Sequence, residues 1–131
     1  MAQRSLAVDQ RDQLNHTRSM RPIDLVHLAK QCLGDENLEL EVLRLYDTTV
    51  STYLMRLERA SNADELAINL HSIKGASTGV GAWTIADLAK AAEGELRSGG
   101  ALSTETVADL AMAVEEVRGF IRTMLSEERA F

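Results

Sequence analysis

Apolar residues recur at spacings of three and four through most of the chain after residue 20, which is the pattern of amphipathic helices. The longest run predicts a helix near the C-terminus and consists of Val107, Leu110, Val114, Val117, Ile121 and Met124. An earlier run predicts another long helix and consists of Leu43, Tyr46, Val50, Tyr53 and Leu57. The first half of that helix carries a second apolar stripe, Leu38, Val42 and Leu45, which we expect to cover a neighbouring short helix.

Capping residues and glycines divide the chain into five predicted helices. The residues predicted to start them are Pro22, Asp35, Asn62 with Glu65, Trp83 and Ser103. The first four are predicted to end near Gly34, Ala60, Val80 and the Ser98–Gly100 turn. Four long helices joined by short turns pack as an antiparallel up-down-up-down bundle. The predicted fold class is therefore all-α, a four-helix bundle with a short additional N-terminal helix at one end.

Residues 1–20 are polar and show no sustained period, so we predict a flexible N-terminal tail followed by one domain over residues 21–128. The net charge of −6 and the lack of a basic stripe argue against nucleic-acid binding. No apolar run approaches the roughly 20 residues of a membrane span, and the N-terminus lacks the apolar core of a signal peptide. Cys32 is the only cysteine, which fits a reducing compartment. We expect a cytoplasmic protein without membrane association, and a bundle of this length can be monomeric.

The third predicted helix carries a histidine on the side away from its apolar face. At about 100° per residue, Ile73 and Val80 lie roughly opposite His71 on a helical wheel. The side chains three, four and seven residues from His71 are Asp64, Ala67, Ile68, Lys74, Gly75 and Thr78. The wheel therefore predicts an exposed imidazole beside an ammonium group, on a face kept flat by small residues.

Gly75 and Lys74 each admit a structural explanation and a functional one. A glycine inside a helix costs about 1 kcal/mol relative to alanine, and its usual cause is close helix packing. Gly75 lies near His71 and away from the core direction, so clearance beside the imidazole explains it better. Lys74 is either a solvated surface residue or a group that offsets the charge of a phosphorylated imidazole.

The segment from His71 to Ala82, HSIKGASTGVGA, resembles the phosphorylation motif of histidine phosphotransfer (HPt) domains. That motif is a histidine, two residues, Lys-Gly, small residues, and an aliphatic residue followed by Gly. The residues that match it are His71, Lys74, Gly75, Ala76, Val80 and Gly81. The segment Leu88–Arg97 resembles the next helix of the family, with Gly94 as a mild departure. The resemblance covers roughly residues 22 to 125.

The resemblance implies a phosphoryl carrier rather than a turnover enzyme. His71 would exchange a phosphoryl group with aspartates of receiver domains through Nε2, with Lys74 neutralising charge and Gly75 giving clearance. The implied partners are response-regulator receiver domains and a (hybrid) histidine kinase. We expect no intrinsic cofactor or metal, since the receiver would supply Mg²⁺. The sequence does not identify a partner for Nδ1 of His71. We place the receiver-docking surface on Ala67, Ile68, Thr78, Ala82 and Trp83.

Other functions fit the sequence less well. The serious alternative is a helical adaptor or regulator that docks receiver domains without carrying phosphate. A third option is a detached kinase fragment phosphorylated by an ATP-binding domain on a separate chain. The glycine-rich run from Gly75 to Gly81 lacks the strand and the Gly-Lys-Ser/Thr end of a phosphate-binding loop. His16 and His27 have no paired ligand one turn away and are interpreted as surface residues.

Overall fold

The computed structural model describes residues 21–129, and every regular element in that range is a helix. The helices are α1 (Leu25–Gln31), α2 (Glu36–Glu58), α3 (Ala63–Val80), α4 (Trp83–Arg97) and α5 (Thr104–Arg129). The all-α prediction is confirmed. The predicted N-terminal tail lies outside the described residues.

Side-chain caps start α2, α3 and α5 where the sequence predicted, and α4 begins at Trp83 as predicted but without a side-chain cap. One helix begins elsewhere. The amides of Leu38, Glu65 and Thr106 donate to the side chains of Asp35, Asn62 and Ser103, respectively. The exception is α1, because its N-cap is Asp24, whose carboxylate accepts from the His27 amide at 3.1 Å. Pro22 therefore precedes α1 instead of starting it.

Helices α2 to α5 form a bundle in which α3 contacts α2 and α4, and α5 contacts α2 and α4. The short α1 packs against α3 and α2. It lies at the end of the bundle that holds the α3–α4 turn, as predicted. The side chains sealed in the core include Leu43, Val50, Leu70, Ile73, Ile85, Leu110, Val114 and Ile121. Helix α4 presents Ala86, Ala89 and Ala92 to this core, and such small residues let α3 approach α4 closely.

The second apolar stripe of α2 does not cover α1. Leu38 and Leu45 are 45% and 68% exposed, so this expectation is wrong. Instead, Leu40 and Leu43 of α2 lie beside Leu25 of α1 around a shared cleft. The reason is that α1 has only seven residues and crosses the end of the bundle, so it cannot follow the outer side of a 23-residue helix.

The core contains one buried hydroxyl pair. The phenol oxygen of Tyr46 and Oγ of Ser77 are 2.7 Å apart and link α2 to α3. Ser77 is fully buried, and a buried hydroxyl needs a hydrogen-bond partner. The two hydroxyls meet this need for each other. Burial raises the pKa of Tyr46, and this effect exceeds the lowering caused by its hydrogen bond to Ser77.

This raised pKa predicts a loss of stability in alkali. An unfolded tyrosine ionises near pH 10, and the folded one ionises at higher pH. The folded state therefore holds its proton more tightly, so the stabilisation is complete below pH 10 and is lost as pH rises above 10. Urea unfolding between pH 8 and 11 should show this decline. Tyr46→Phe should cost about 1 kcal/mol at pH 8 and decline less steeply, whereas parallel curves would contradict the assignment.

Candidate functional site

Helix α3 holds His71 on its outer side. The His71 side chain is 75% exposed, whereas Leu70 and Ile73 are sealed in the core. The wheel prediction of an exposed imidazole opposite the apolar face is confirmed. The helix that carries the imidazole is thus anchored through its other side, which gives an accessible nucleophile on a rigid support.

A carboxylate of α4 reaches the imidazole and its lysine neighbour. Oε1 of Glu93 is 2.9 Å from Nζ of Lys74, and Oε2 is 3.8 Å from Nδ1 of His71. The longer distance exceeds a hydrogen bond, so the interaction with the imidazole is electrostatic. We call His71, Lys74 and Glu93 the site triad.

Glu93 is the least exposed member of the site triad, with a side chain only 15% accessible. Its Oε1 atom is buried and has no hydrogen-bond partner of good geometry among the described residues. The contact with Lys74 is therefore an ion pair that lacks hydrogen-bond angles. A half-buried carboxylate needs such a neighbouring cation, because loss of solvation disfavours its charge. Glu93 consequently fixes Lys74 close to the imidazole.

Glu93 is absent from the site residues predicted from the sequence. One signal was available, since His71 and Glu93 lie at equal sequence distance from Ala82 in the α3–α4 hairpin. Equal distance from a tight turn places two residues at the same height on antiparallel helices. The rotation of α4 that turns Glu93 toward His71 depends on tertiary packing, and helical periodicity alone does not supply it.

The surface beside the site triad is partly apolar, and Ala67 and Glu93 border a shallow depression in it. Ala67 and Thr78 are exposed, and Ile68 is 65% exposed although it is a large aliphatic residue. A Cβ atom built at Gly75 would meet nothing within 4 Å. No packing within the described chain therefore requires glycine at this position.

Two residues at the far end of this surface are less exposed than a docking surface requires. Ala82 is fully buried as the N-cap of α4, so its side chain cannot contact a partner, and its place on the predicted docking surface is wrong. The sequence places it beside exposed residues, but the tight turn directs it into the core. Trp83 is half-buried, and its Nε1 donates to Oδ2 of Asp24 at 3.0 Å.

Helix α1 is fastened to the α3–α4 turn beside this surface. Nε2 of His27 lies 3.1 Å from the carbonyl oxygen of Thr78, and it must carry the proton because a carbonyl only accepts. The His27 ring also packs edge-on against Trp83 at 4.8 Å between centroids. His27 is half-buried and has a structural role that the sequence did not predict, whereas His16 lies outside the described residues.

Gly81 makes this attachment possible. Its φ of 85° is left-handed, and its carbonyl accepts from the Asp24 amide at 2.9 Å. A Cβ atom at this position would lie 3.0 Å from the Asp24 carbonyl oxygen. Glycine is thus required both by the backbone conformation and by the close approach of α1.

The described residues contain no group of three or more His, Cys, Asp or Glu side chains arranged to hold a metal ion. None of the described helices has the length and apolar character needed to cross a membrane.

The fold and the site together define a class of protein: an antiparallel helical bundle that presents one exposed histidine, with a lysine one turn further along the same helix. Comparison with protein-family models matches the Hpt domain over residues 38–129. The chain belongs to the Hpt domain family, whose members act in histidine phosphotransfer. No curated protein and no solved structure matches the chain significantly.

Proposed function

We propose that this protein is a phosphorelay intermediate that carries a phosphoryl group on His71 between receiver-domain aspartates. The observation that supports it most directly is the site triad, in which an exposed imidazole has a carboxylate 3.8 Å from Nδ1 and an ammonium one turn away. Helix α3 matches the family along its whole length, since the Hpt match spans it. The protein acts as a carrier in this proposal and does not turn over a substrate of its own.

The position of Glu93 supports a different role for each ring nitrogen of His71. A carboxylate near Nδ1 favours the tautomer with the proton on Nδ1, which leaves the lone pair on Nε2. Nε2 attacks phosphorus, the N–P bond forms, and the bond from phosphorus to the aspartate oxygen breaks. The electrons of that bond leave with the aspartate carboxylate. The ring keeps its Nδ1 proton and gains positive charge, which Glu93 offsets.

Lys74 has a charged partner both before and after phosphorylation of His71. Its ammonium is paired with Glu93 in the resting state and lies three residues along α3 from the imidazole. The same ammonium can contact oxygens of a phosphoryl group on His71, because side chains three residues apart are neighbours on a helix. Phosphoryl transfer depends on positioning and charge neutralisation, and Lys74 contributes the charge.

The receiver domain docks on the exposed surface around His71, which we call the receiver-docking surface. Ala67, Ile68, Gly75 and Thr78 supply exposed small or apolar contacts, and Trp83 forms its edge. The receiver would supply an acidic pocket that holds Mg²⁺, and the Mg²⁺ ion would neutralise charge on the transferring group. The bundle contributes the nucleophile of His71 and the ammonium of Lys74. A kinase that phosphorylates such a receiver, or carries one, is the source of the phosphoryl group.

A substitution at Gly75 tests whether this glycine serves packing of the bundle or docking of the receiver. Gly75→Ala should raise the free energy of unfolding by about 1 kcal/mol, because alanine favours the helix and the added methyl group meets open space. The same methyl group should slow phosphotransfer, since it enters the space that the receiver must occupy. Gly119→Ala on α5 is the matched control, because its site is equally open. Stability should rise in both variants and the transfer rate should fall only in Gly75→Ala; equal transfer rates would count against docking there.

A phosphotransfer time course separates the carrier from the adaptor. The protein is mixed with a receiver domain labelled on its aspartate, and the label on each chain is followed. A carrier gains label as the receiver loses it and passes it to a second, unlabelled receiver. An adaptor or phosphatase-like regulator never becomes labelled, and that result would overturn the proposal.

A further inference from the structure

An apolar cleft lies between α1, the start of α2 and the end of α5. Its volume is about 290 Å³. The apolar residues that line it are Leu25, Leu28, Leu40, Leu43 and Met124. We call these five residues the α1 cleft. None of the residues that line it belongs to the site triad.

The apolar surface continues from the α1 cleft over the outer side of α1. Leu25 also lines a shallow groove with Val26, Ala29 and Leu33, and the basic residue Lys30 lies in the same lining. Val26 is 60% exposed and Leu33 is 93% exposed. Leu33 has a left-handed φ of 54°, which costs a non-glycine residue about 1 kcal/mol. An apolar side chain exposed at such a cost points to a covering partner.

Acidic residues border this apolar surface. Glu36 and Glu39 line the α1 cleft, and Asp35 directly precedes them. We call these three residues the acidic rim. Neither glutamate has an ion-pair partner among the described residues, whereas Glu41 on the same helix pairs with Arg44. A covering partner should therefore be apolar and basic.

The N-terminal segment of the same chain carries both basic and apolar residues and joins the described chain beside α1. Residues 1–20 are polar overall, with arginines at positions 4, 11 and 18, aspartates at positions 9 and 12, and the apolar residues Leu6, Val8, Leu14 and Met20. The segment joins the described chain at Arg21, shortly before Leu25 of the α1 cleft. A short tether gives an effective concentration near the millimolar range, which favours this segment over a second copy of the protein.

We propose that residues 1–20 bind across the α1 cleft of their own chain, with arginines against the acidic rim. Helix α1 also holds Thr78 and Trp83 through His27 and Asp24, so the bound segment braces the helix that supports the edge of the receiver-docking surface. This inference does not rest on phosphotransfer by His71, and each can fail without the other.

Charge reversal in the full-length chain tests the contact. The arginine variant replaces Arg4, Arg11 and Arg18 by Glu, the rim variant replaces Glu36 and Glu39 by Lys, and the third variant combines them. The arginine variant should melt about 4 °C below the wild type, because its segment is repelled from the rim. The combined variant should not melt below the rim variant, because its glutamates face lysines and the contact is restored. The lysines at the start of α2 also disturb the helix dipole, but both of these variants carry them, so this effect cancels when the two are compared.

The control combines the arginine variant with Glu115→Lys and Glu116→Lys on the exposed side of α5, where no recovery is expected. Hydrogen exchange in α1 should be faster in the arginine variant and in the rim variant than in the wild type, and the combined variant should be close to the wild type. Additive effects in all combinations would overturn the proposal. Coupling that grows with protein concentration, together with a dimer in sedimentation, would also overturn it and assign the cleft to a second copy.

Discussion

His71→Gln should yield a folded protein that accepts no phosphoryl group from a phosphorylated receiver domain. The side chain is 75% exposed, so its replacement should change the free energy of unfolding by at most about 0.5 kcal/mol. Glutamine has no ring nitrogen with a free lone pair, and no other described histidine is exposed on this surface. The loss of labelling should therefore be complete, while the urea midpoint stays near that of the wild type.

His27→Gln is the matched control for this result. It removes the other described histidine, which holds the Thr78 carbonyl and the Trp83 ring. This variant should lose some stability and still become labelled. Labelling of His71→Gln at the wild-type rate would assign the phosphoryl group to another residue.

Exchanging the charges of Lys74 and Glu93 should separate stability from transfer. Lys74→Glu alone places a second carboxylate beside the half-buried Glu93, so we expect a loss of about 1–2 kcal/mol, between the values for exposed and buried pairs. The double variant Lys74→Glu, Glu93→Lys restores an ion pair and should recover most of that loss. Urea unfolding of the three proteins measures both effects.

The exchanged pair should still transfer phosphate at least about tenfold more slowly than the wild type. An ammonium at position 93 donates to Nδ1 of His71 and places the ring proton on Nε2, which removes the nucleophilic lone pair. Position 74 would also present a negative charge to the phosphoryl group. Arg122→Glu on α5 changes the net charge by the same amount as Lys74→Glu alone, and it should transfer normally because it lies away from the site triad. Wild-type rates in the exchanged variant would show that the site triad has no role in transfer.

The sequence predicted the helices and the exposed side of α3 because both follow from local periodicity. Caps at Asp35, Asn62 and Ser103 depend on short-range hydrogen bonds, so they were predictable as well. Errors arose where packing between distant segments decides the outcome. Ala82 is buried because the tight α3–α4 turn directs it into the core, and Leu38 and Leu45 are exposed because α1 packs over the end of the bundle. Neither outcome is encoded in any single helix.

The residues of the site also divide into those set by local sequence and those set by packing between helices. His71, Lys74 and Gly75 share one helix, so their spacing along the chain is enough to place them on one face. Glu93 comes from another helix, and only the packing of α4 against α3 brings its carboxylate to 2.9 Å from Lys74. His27 shows the same limit, because its partner Thr78 lies 51 residues away in the chain.

The chemistry of the transferred group is the most direct test of a carrier role for His71. The wild-type protein is labelled by a phosphorylated receiver domain, separated from it, and divided for treatment with acid, treatment with base, and peptide mapping. We expect a label that acid removes and base does not, as for a phosphorus–nitrogen bond, located on the α3 peptide that contains His71. An acid-stable label, or one on a peptide without His71, would contradict a carrier role for this residue.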